Sequence, residues 1–183
     1  MQARSERDEW LMAQVALDQR DSLEPLVRRY AGPLVGFIRR MVRDPHQSEE
    51  LFQEVFLTVW QKRRLYQFPR PFKPWLYTIA LNKCRAAFRS PNRVGMELDA
   101  QSPSAADPTP ADAVIAVETA ELIAAAVHAL PPQQRLVVAL RIWDGLSYAE
   151  IAEIAGRAEA TIRSNMHHGL ATLREAIAPH VMH

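Results

Sequence analysis

Residues 90–112 restrict the fold more than any other part of the sequence, because they offer almost nothing from which a core can be built. The segment reads SPNRVGMELDAQSPSAADPTPAD and holds four prolines, four acidic residues and one arginine. Burying its few large apolar side chains would not offset the entropy lost on ordering the chain. The sequence therefore predicts two domains, residues 1–90 and 113–183, joined by a flexible acidic linker at 91–112.

Both predicted domains are helical. In residues 47–62 apolar side chains recur three and four positions apart, which is typical of the buried face of a helix. No segment alternates apolar and polar residues with a period of two, so the predicted fold class is all-α. The predicted helices are 21–31, 34–42, 47–62, 72 or 74–89, 112–130, 132–143, 147–155 and 159–177. Asp21 and Glu24 form a predicted capping box, Gly32-Pro33 a break, Asp112 a cap and Pro179 the end of the last helix. An extra first helix is predicted in residues 1–19, where Trp10, Leu11, Val15 and Leu17 have helical spacing.

Composition and motifs exclude several classes of protein. The apolar runs are well short of the ~20 residues that a membrane-spanning helix needs, and the opening MQARSERDEW lacks the apolar core of a secretory signal. A single cysteine, Cys84, rules out a disulfide framework, and its position in a helix indicates a small core residue. No phosphate loop, HExxH sequence or acid pair indicates an enzyme, and His180 and His183 make a poor metal site. We expect a cytoplasmic protein with no catalytic residue, metal, cofactor or membrane insertion.

The first domain carries an excess of positive charge. Residues 1–91 hold 16 Lys and Arg against 10 Asp and Glu, whereas residues 92–183 hold 6 against 11. Residues 61–96 contain no acidic residue. Cations bind phosphates and aromatic rings stack on unpaired bases, so this stretch predicts a surface for a polyanion, although some of its rings belong to the core. The cations are Lys62, Arg63, Arg64, Arg70, Lys73, Lys83, Arg85, Arg89 and Arg93, and the aromatic residues are Tyr66, Phe68, Phe72, Trp75, Tyr77 and Phe88.

Residues 147–173 predict a helix-turn-helix. Ser147 and Glu150 form a capping box at the start of a short helix, and Gly156 stands at the expected C-cap. In this motif the first turns of the second helix enter the major groove of DNA. An ordinary helical hairpin has the same pattern, so both interpretations stay open on this motif alone. The candidates to contact DNA are Glu159, Ala160, Thr161, Arg163, Ser164, Asn165 and His167, of which Arg163 can read guanine or hold a phosphate and Asn165 can read adenine.

Three segments resemble one protein family. Residues 130–177, LPPQQRLVVALRIWDGLSYAEIAEIAGRAEATIRSNMHHGLATLREAI, resemble the minus-35-reading domain of bacterial sigma-70 family factors, and more narrowly of the extracytoplasmic-function (ECF) group. SEELFQEVFLTVW resembles the helix with which that group binds the polymerase core, and PFKPWLYTIALNKCRAAFR resembles its minus-10-recognising helix. The resemblance covers roughly residues 20–90 and 115–178 in the family order.

The resemblance implies a function and a set of site residues. A sigma factor binds the core of bacterial RNA polymerase, directs it to promoters and helps to melt the DNA, without covalent chemistry of its own. It also implies an anti-sigma factor as a partner and a linker that threads the RNA-exit path, although a plain tether has the same composition. The implied core-binding residues are Glu50, Gln53, Glu54 and Trp60. The residues implied or suggested to bind the single-stranded minus-10 element are Arg64, Tyr66, Phe68, Arg70, Lys73, Trp75, Asn82, Lys83, Arg85 and Arg89. The residues implied or suggested to bind the double-stranded minus-35 element are Thr161, Arg163, Ser164, Asn165 and His167.

One part of the sequence departs from the family, and one rival interpretation remains. Many members carry several basic residues in the recognition helix, in a pattern like KSRLHRAR, where this chain has RSNMHHGL. Residues 159–178 contain two arginines and two glutamates, which predicts weaker binding to minus-35 phosphates.

The alternative function is a stand-alone helix-turn-helix regulator that binds duplex DNA without polymerase. That alternative leaves the first domain unexplained and normally requires a dimer.

Overall fold

The computed structural model describes residues 2–89 and 110–181, and within them the fold is all-α, as predicted. The predicted linker falls largely on residues 90–109, which lie outside the described residues, so the domain boundaries stay predictions. None of the helices in the described part of the chain combines the length and the hydropathy needed to cross a bilayer. The helices are α1 Gln2–Ala16, α2 Leu23–Val42, α3 Pro45–Gln61, α4 Phe72–Arg89, α5 Pro110–Ala129, α6 Pro132–Ile142, α7 Tyr148–Ala155 and α8 Glu159–Val181, with short 3₁₀ helices at Arg20–Ser22 and Arg63–Leu65.

Helix α2 is continuous, so the predicted break at Gly32-Pro33 is wrong. Gly32 and Pro33 are both exposed, whereas Tyr30, Leu34 and Phe37 are buried on the other side of the same helix. A proline inside a helix costs about 3 kcal/mol relative to alanine. Burying several large side chains on one face of α2 offsets that cost, since each contributes about 1.5–3 kcal/mol.

Three further boundaries differ from the prediction. Asp112 does not cap α5, because that helix already begins at Pro110. The capping box of Asp21 and Glu24 is wrong, because Asp21 lies in a 3₁₀ helix and the N-cap of α2 is Ser22, whose side chain makes no capping hydrogen bond. Pro179 does not end the last helix, which continues to Val181. Pro179 is exposed, so water can replace the backbone hydrogen bond that its missing N–H would have made.

The N-terminal extension forms the predicted first helix. Leu11, Met12 and Val15 of α1 are buried, but Trp10 and Leu17, which were predicted to share their face, are 55% and 71% exposed. Two buried acidic residues that the sequence analysis overlooked also attach α1 to the domain. Asp8 is ion-paired with Arg29 and accepts a 2.8 Å hydrogen bond from the Tyr30 hydroxyl. Glu9 accepts a 2.8 Å hydrogen bond from the backbone N–H of Phe72, the first residue of α4.

The two halves of the chain pack against each other. Helix α4 lies on α7, and α2 lies on both α5 and α6. The buried apolar residues of the two halves form one continuous core. The sequence pattern predicted separate domains and contained no signal for this closed arrangement.

Helix α7 begins with the predicted capping box. The Ser147 hydroxyl accepts a 3.2 Å hydrogen bond from the N–H of Glu150, and the Glu150 carboxylate accepts a 2.7 Å hydrogen bond from the N–H of Ser147. The helix ends at Gly156, whose φ of 65° is a left-handed conformation that glycine adopts without strain. Both ends of the first helix of the helix-turn-helix are therefore set by local sequence.

We expect Ser147→Ala to lower the free energy of unfolding by about 1 kcal/mol, because an N–H at the start of α7 loses its acceptor. The measurement is urea denaturation followed by circular dichroism. Ser22→Ala is the matched control, since Ser22 is also an N-cap serine but makes no capping hydrogen bond. Equal losses for the two variants would contradict a stabilising role for the capping box.

Candidate nucleic-acid and polymerase interfaces

The basic stretch of the first domain is partly neutralised by acidic residues from elsewhere in the chain. Asp18 accepts hydrogen bonds from Arg63 at 2.6 Å and from Arg64 at 2.7 Å. These arginines hold the pKa of Asp18 below its ordinary value. Lys83 on α4 pairs with Glu54 on α3 at 2.9 Å. The absence of acids from residues 61–96 therefore does not make a surface of unpaired cations.

Two more cations of this stretch contact the second half of the chain. Arg70 forms a 2.7 Å ion pair with Glu153 of α7. The Nζ of Lys73 donates a hydrogen bond to the backbone carbonyl of Asp144, between α6 and α7. Both cations were assigned from the sequence to the minus-10 strand, and in this arrangement both are engaged by the other domain.

Most aromatic residues of the loop before α4 and of the first turn of α4 belong to the core. Tyr66, Phe72 and Trp75 are buried and pack edge to face or tilted, with ring centroids 5.4–6.3 Å apart. The Tyr66 hydroxyl donates to the Arg70 carbonyl, which ties the loop to itself. Phe68, in contrast, is 60% exposed. Of the loop aromatics that were predicted to stack on bases, Phe68 is the one with an open face in this conformation.

Helix α4 presents a polar face towards solvent. Asn82 and Arg89 are exposed, and Arg85 is half-buried between them. The opposite face is core, including Cys84, whose pKa is raised to about 12 by burial. A thiol in that environment stays protonated and behaves as a small apolar residue, as the sequence analysis expected.

Helix α3 exposes acidic, amide and apolar groups side by side. Glu50, Gln53, Glu54 and Leu57 line one shallow depression. Leu57 is 56% exposed, and the sequence analysis did not predict it as a site residue. Its position outside the buried stripe of an amphipathic helix could have indicated an exposed leucine. Trp60, the fourth predicted core-binding residue, is half-buried, and the Arg63 guanidinium lies 4.1 Å from the centre of its ring.

The first turns of α8 present several of the predicted minus-35 residues to solvent. Thr161, Arg163, Ser164 and His167 are exposed, whereas Asn165 is half-buried. Ile162 and Met166 are buried, as the helix-turn-helix pattern predicted. These four exposed side chains therefore project from the outer surface of the second helix of the motif.

Local contacts hold two of these side chains in place. Arg163 donates a 3.0 Å hydrogen bond to Glu159, and its guanidinium lies 4.5 Å from the ring centre of Tyr148 on α7. The Asn165 amide donates a 2.9 Å hydrogen bond to the Thr161 carbonyl. Arg163 thus carries a partly neutralised charge, whereas Asn165 keeps its second amide N–H and its Oδ1 for a base edge.

Two family models match the chain in the order of its two halves. Residues 26–94 match Sigma-70 region 2, and residues 120–173 match Sigma-70, region 4. Together the matches cover about two thirds of the chain. The chain belongs to the sigma-70 family. A stand-alone helix-turn-helix regulator would leave the region 2 match without explanation.

Curated relatives narrow the family to its ECF group. The sigma factor is 33% identical over 87% of its length to the ECF RNA polymerase sigma factor SigE of Mycolicibacterium smegmatis, of which it spans 63%. It is 33% identical to the RNA polymerase sigma factor CarQ of Myxococcus xanthus, over 86% of this chain and 90% of CarQ. It is 29% identical to the ECF RNA polymerase sigma factor SigW of Bacillus subtilis, over 90% of this chain and 93% of SigW. The protein is therefore an RNA polymerase sigma factor of the ECF group.

Solved structures share the fold of this sigma factor. CnrH in complex with the cytosolic domain of CnrY aligns with a TM-score of 0.74 at 22% identity, over 94% of this chain and 98% of the other. The sigma factor RpoE from Bartonella quintana, in complex with the anti-sigma factor NepR, aligns with a TM-score of 0.73 at 22% identity, over 85% of this chain and 96% of the other. At this level of identity the likeness establishes the all-α fold.

Proposed function

We propose that this sigma factor binds the polymerase core through the exposed face of α3. The observation that carries this proposal is Leu57, an exposed leucine between acidic and amide side chains. An apolar residue surrounded by Glu50, Gln53 and Glu54 has the chemistry of a hot spot for a basic helical partner. Trp60 supports this face indirectly, because its ring stacks with Arg63 at the end of the same helix.

Promoter DNA is proposed to contact two further surfaces. On α4, Asn82 can hydrogen-bond a base edge, and Arg85 and Arg89 can hold phosphates of the melted strand. Phe68 supplies an exposed ring for stacking on an unpaired base. Arg64, Arg70, Lys73 and Lys83 can add phosphate contacts once they leave their acidic or carbonyl partners. Tyr66 and Trp75 are proposed to support the loop from the core rather than to contact bases.

The minus-35 duplex is proposed to lie against the first turns of α8. Thr161, Arg163, Ser164 and His167 are the exposed groups there, and Asn165 is the further candidate for base contact. With few cations on this helix, phosphate affinity is low and base contacts carry a larger share of recognition.

The direct test of the proposed function is gel filtration of the purified protein with bacterial core RNA polymerase. Co-elution of one copy per core supports it, and sequencing of the transcripts that the complex starts then gives the promoter. If a correctly folded, inhibitor-free protein does not co-elute with its cognate core, the core-binding assignment is wrong.

We expect Arg163→Ala to reduce the salt dependence of promoter binding by about one unit of slope, because one phosphate contact is lost. The measurement is the dissociation constant of the polymerase–promoter complex over a series of salt concentrations. Arg174→Ala is the matched control, since Arg174 is an exposed arginine further along the same helix. If the slope of affinity against salt concentration is unchanged in Arg163→Ala, Arg163 does not contact a phosphate.

The proposed function implies a regulator and a compartment. The RpoE structure contains an anti-sigma factor, and we propose that a protein of this class also controls the present chain. Action on RNA polymerase would confine the protein to the cytoplasm, and its contribution there is binding and DNA melting without covalent chemistry of its own.

A further inference from the structure

The loop that leads into α4 carries the exposed ring of the proposed minus-10 surface. We call residues 66–71, between the second 3₁₀ helix and α4, the entry loop. Phe68 in its middle is 60% exposed, whereas Tyr66 at its start is 6% exposed. The Tyr66 hydroxyl donates to the Arg70 carbonyl, and the N–H of Arg70 donates a 2.8 Å hydrogen bond to the Gln67 carbonyl. The loop is therefore folded on itself, with the Phe68 ring left exposed.

Helix α1 holds the residue that follows this loop. Glu9 is 6% exposed, and its Oε1 accepts a 2.8 Å hydrogen bond from the N–H of Phe72, the first residue of α4. The first four N–H groups of a helix have no carbonyl partner within that helix, so this N–H needs an acceptor from elsewhere. The helix dipole also favours a carboxylate at this end of a helix. Glu9 thus caps α4 from a different helix, across 63 positions of sequence.

Glu9 also lies beside the entry loop itself. Burial, and after it the charge of Glu9, raise the pKa of the Tyr66 hydroxyl, which places the carboxylate near that side chain. The rings of Tyr66 and Phe72 pack edge to face, with centroids 6.3 Å apart. One buried carboxylate therefore contacts the end of the loop and lies close to its internal tyrosine.

The same helix reaches the chain on the other side of the loop. Asp18, two residues after the end of α1, accepts hydrogen bonds from Arg63 at 2.6 Å and from Arg64 at 2.7 Å. Arg63 is held further by a 2.8 Å hydrogen bond to the Trp60 carbonyl. The chain is thus fixed to the region of α1 both before and after the entry loop.

A loop that is fixed at both ends has less freedom to lose when it binds a partner. Fixing the backbone of one residue corresponds to about fivefold to thirtyfold in an equilibrium constant. A loop that is already ordered does not add this cost to binding. Without an anchor at Phe72, the complex with promoter DNA would have to order the loop that carries Phe68.

We propose that Glu9 is a positioning residue for the minus-10 surface, which acts through the N–H of Phe72 and the entry loop to hold Phe68 in place for an unpaired base. The anchoring of the loop does not depend on the proposed function, whereas the effect on promoter opening rests on it. Because Glu9 is buried, it acts through the loop rather than through contact with DNA.

The test compares three changes at Glu9 in the full chain. Glu9→Ala removes the acceptor, Glu9→Asp keeps the charge but shortens the side chain by one methylene, and Glu9→Gln keeps an acceptor oxygen at the same reach. Hydrogen–deuterium exchange of the amides of the entry loop and of Phe72 measures the anchoring. We expect their protection to fall by about tenfold in Glu9→Ala and Glu9→Asp. Glu9→Gln should restore most of it.

Promoter opening by the complex with core polymerase measures the consequence. We expect Glu9→Ala and Glu9→Asp to reduce the permanganate reactivity of unpaired thymines by about fivefold to thirtyfold, the cost of ordering one residue. Glu9→Gln should open the promoter at close to the normal level. Affinity for core should stay within about twofold in all three variants, since the proposed core contact lies on α3.

Val15→Ala is the matched control for stability. Val15 is fully buried on the same helix, so this change removes apolar packing and leaves the polar contact of Glu9 with Phe72. It should lower the stability of the protein while the entry loop stays protected and the promoter opens normally. A purely structural role for Glu9 would give Glu9→Ala and Val15→Ala the same deficit in opening at equal loss of stability.

Two results would overturn the proposal. If the amides of the entry loop and of Phe72 exchange no faster in Glu9→Ala than in Val15→Ala, Glu9 does not anchor the loop. If the loop loses protection and the promoter still opens at the normal level, opening does not require an ordered loop. Co-elution of the unaltered protein with core polymerase, and promoter opening by that complex, judge the proposed function separately from either result.

Discussion

Leu57→Asp is expected to weaken binding to core polymerase by about a hundredfold or more, because it places a charge at the centre of the proposed contact on α3. Leu57 is 56% exposed, so the substitution removes little from the core of the protein itself. The substitution also removes the apolar contact, and burying the new carboxylate beside Glu50 and Glu54 carries a desolvation cost that these like charges increase. The measurement is the equilibrium dissociation constant of the complex with core, by fluorescence anisotropy or an equivalent method.

Leu17→Asp is the matched control for this experiment. Leu17 is 71% exposed just after α1, and it is not among the residues that line the depression on α3. It should leave core binding within about twofold, since exposed residues outside an interface contribute little. A loss of equal size in both variants, or none in Leu57→Asp, would show that the exposed face of α3 does not bind core.

Asn82→Ala combined with Arg85→Ala is expected to reduce promoter opening by about a hundredfold while leaving core binding intact. Holding an unpaired base outside the stack costs a few kcal/mol, and these two side chains are proposed to supply much of the compensating energy. Neither side chain is part of the buried face of α4, so the fold should survive. Permanganate reactivity of unpaired thymines in the polymerase–promoter complex measures opening directly.

Gln133→Ala combined with Arg28→Ala removes the same kinds of group at exposed positions of α6 and α2 and serves as the control. If the double variant of Asn82 and Arg85 opens the promoter at the normal level, the proposal that α4 contacts the minus-10 element is wrong. Loss of core binding in the same variant would mean that these residues act through polymerase rather than through DNA.

The loop before α4 shows where reasoning from the sequence reached its limit. The stretch 61–96 has no acidic residue, yet Arg63 bonds to Asp18, 45 positions earlier, and Arg70 bonds to Glu153, 83 positions later. Pairings over such distances leave no trace in a local count of charges. The same holds for the aromatic residues, because composition alone cannot separate a ring that stacks on a base from one that fills the core.

Local sequence patterns predicted most of the helices, the capping box of Ser147 and Glu150, and the turn at Gly156, since these features depend on hydrogen bonds and periodicities that span a few residues. The sequence also carried the family motifs in their order. The sequence patterns predicted that Pro33 and Pro179 interrupt or end a helix, and both predictions are wrong. At Pro33, burial of one face of α2 outweighs the cost of a proline inside a helix, and at Pro179 water replaces the missing hydrogen bond.

The packing of the whole molecule sets which of the predicted site residues are available to a partner. It buries Tyr66 and Trp75, exposes Phe68 and Leu57, and engages Arg70 with the second domain. The physical reason is that exposure and pairing are properties of the packed molecule. They depend on which helices pack together, and the packing of α4 against α7 is not predicted by the sequence pattern of either helix.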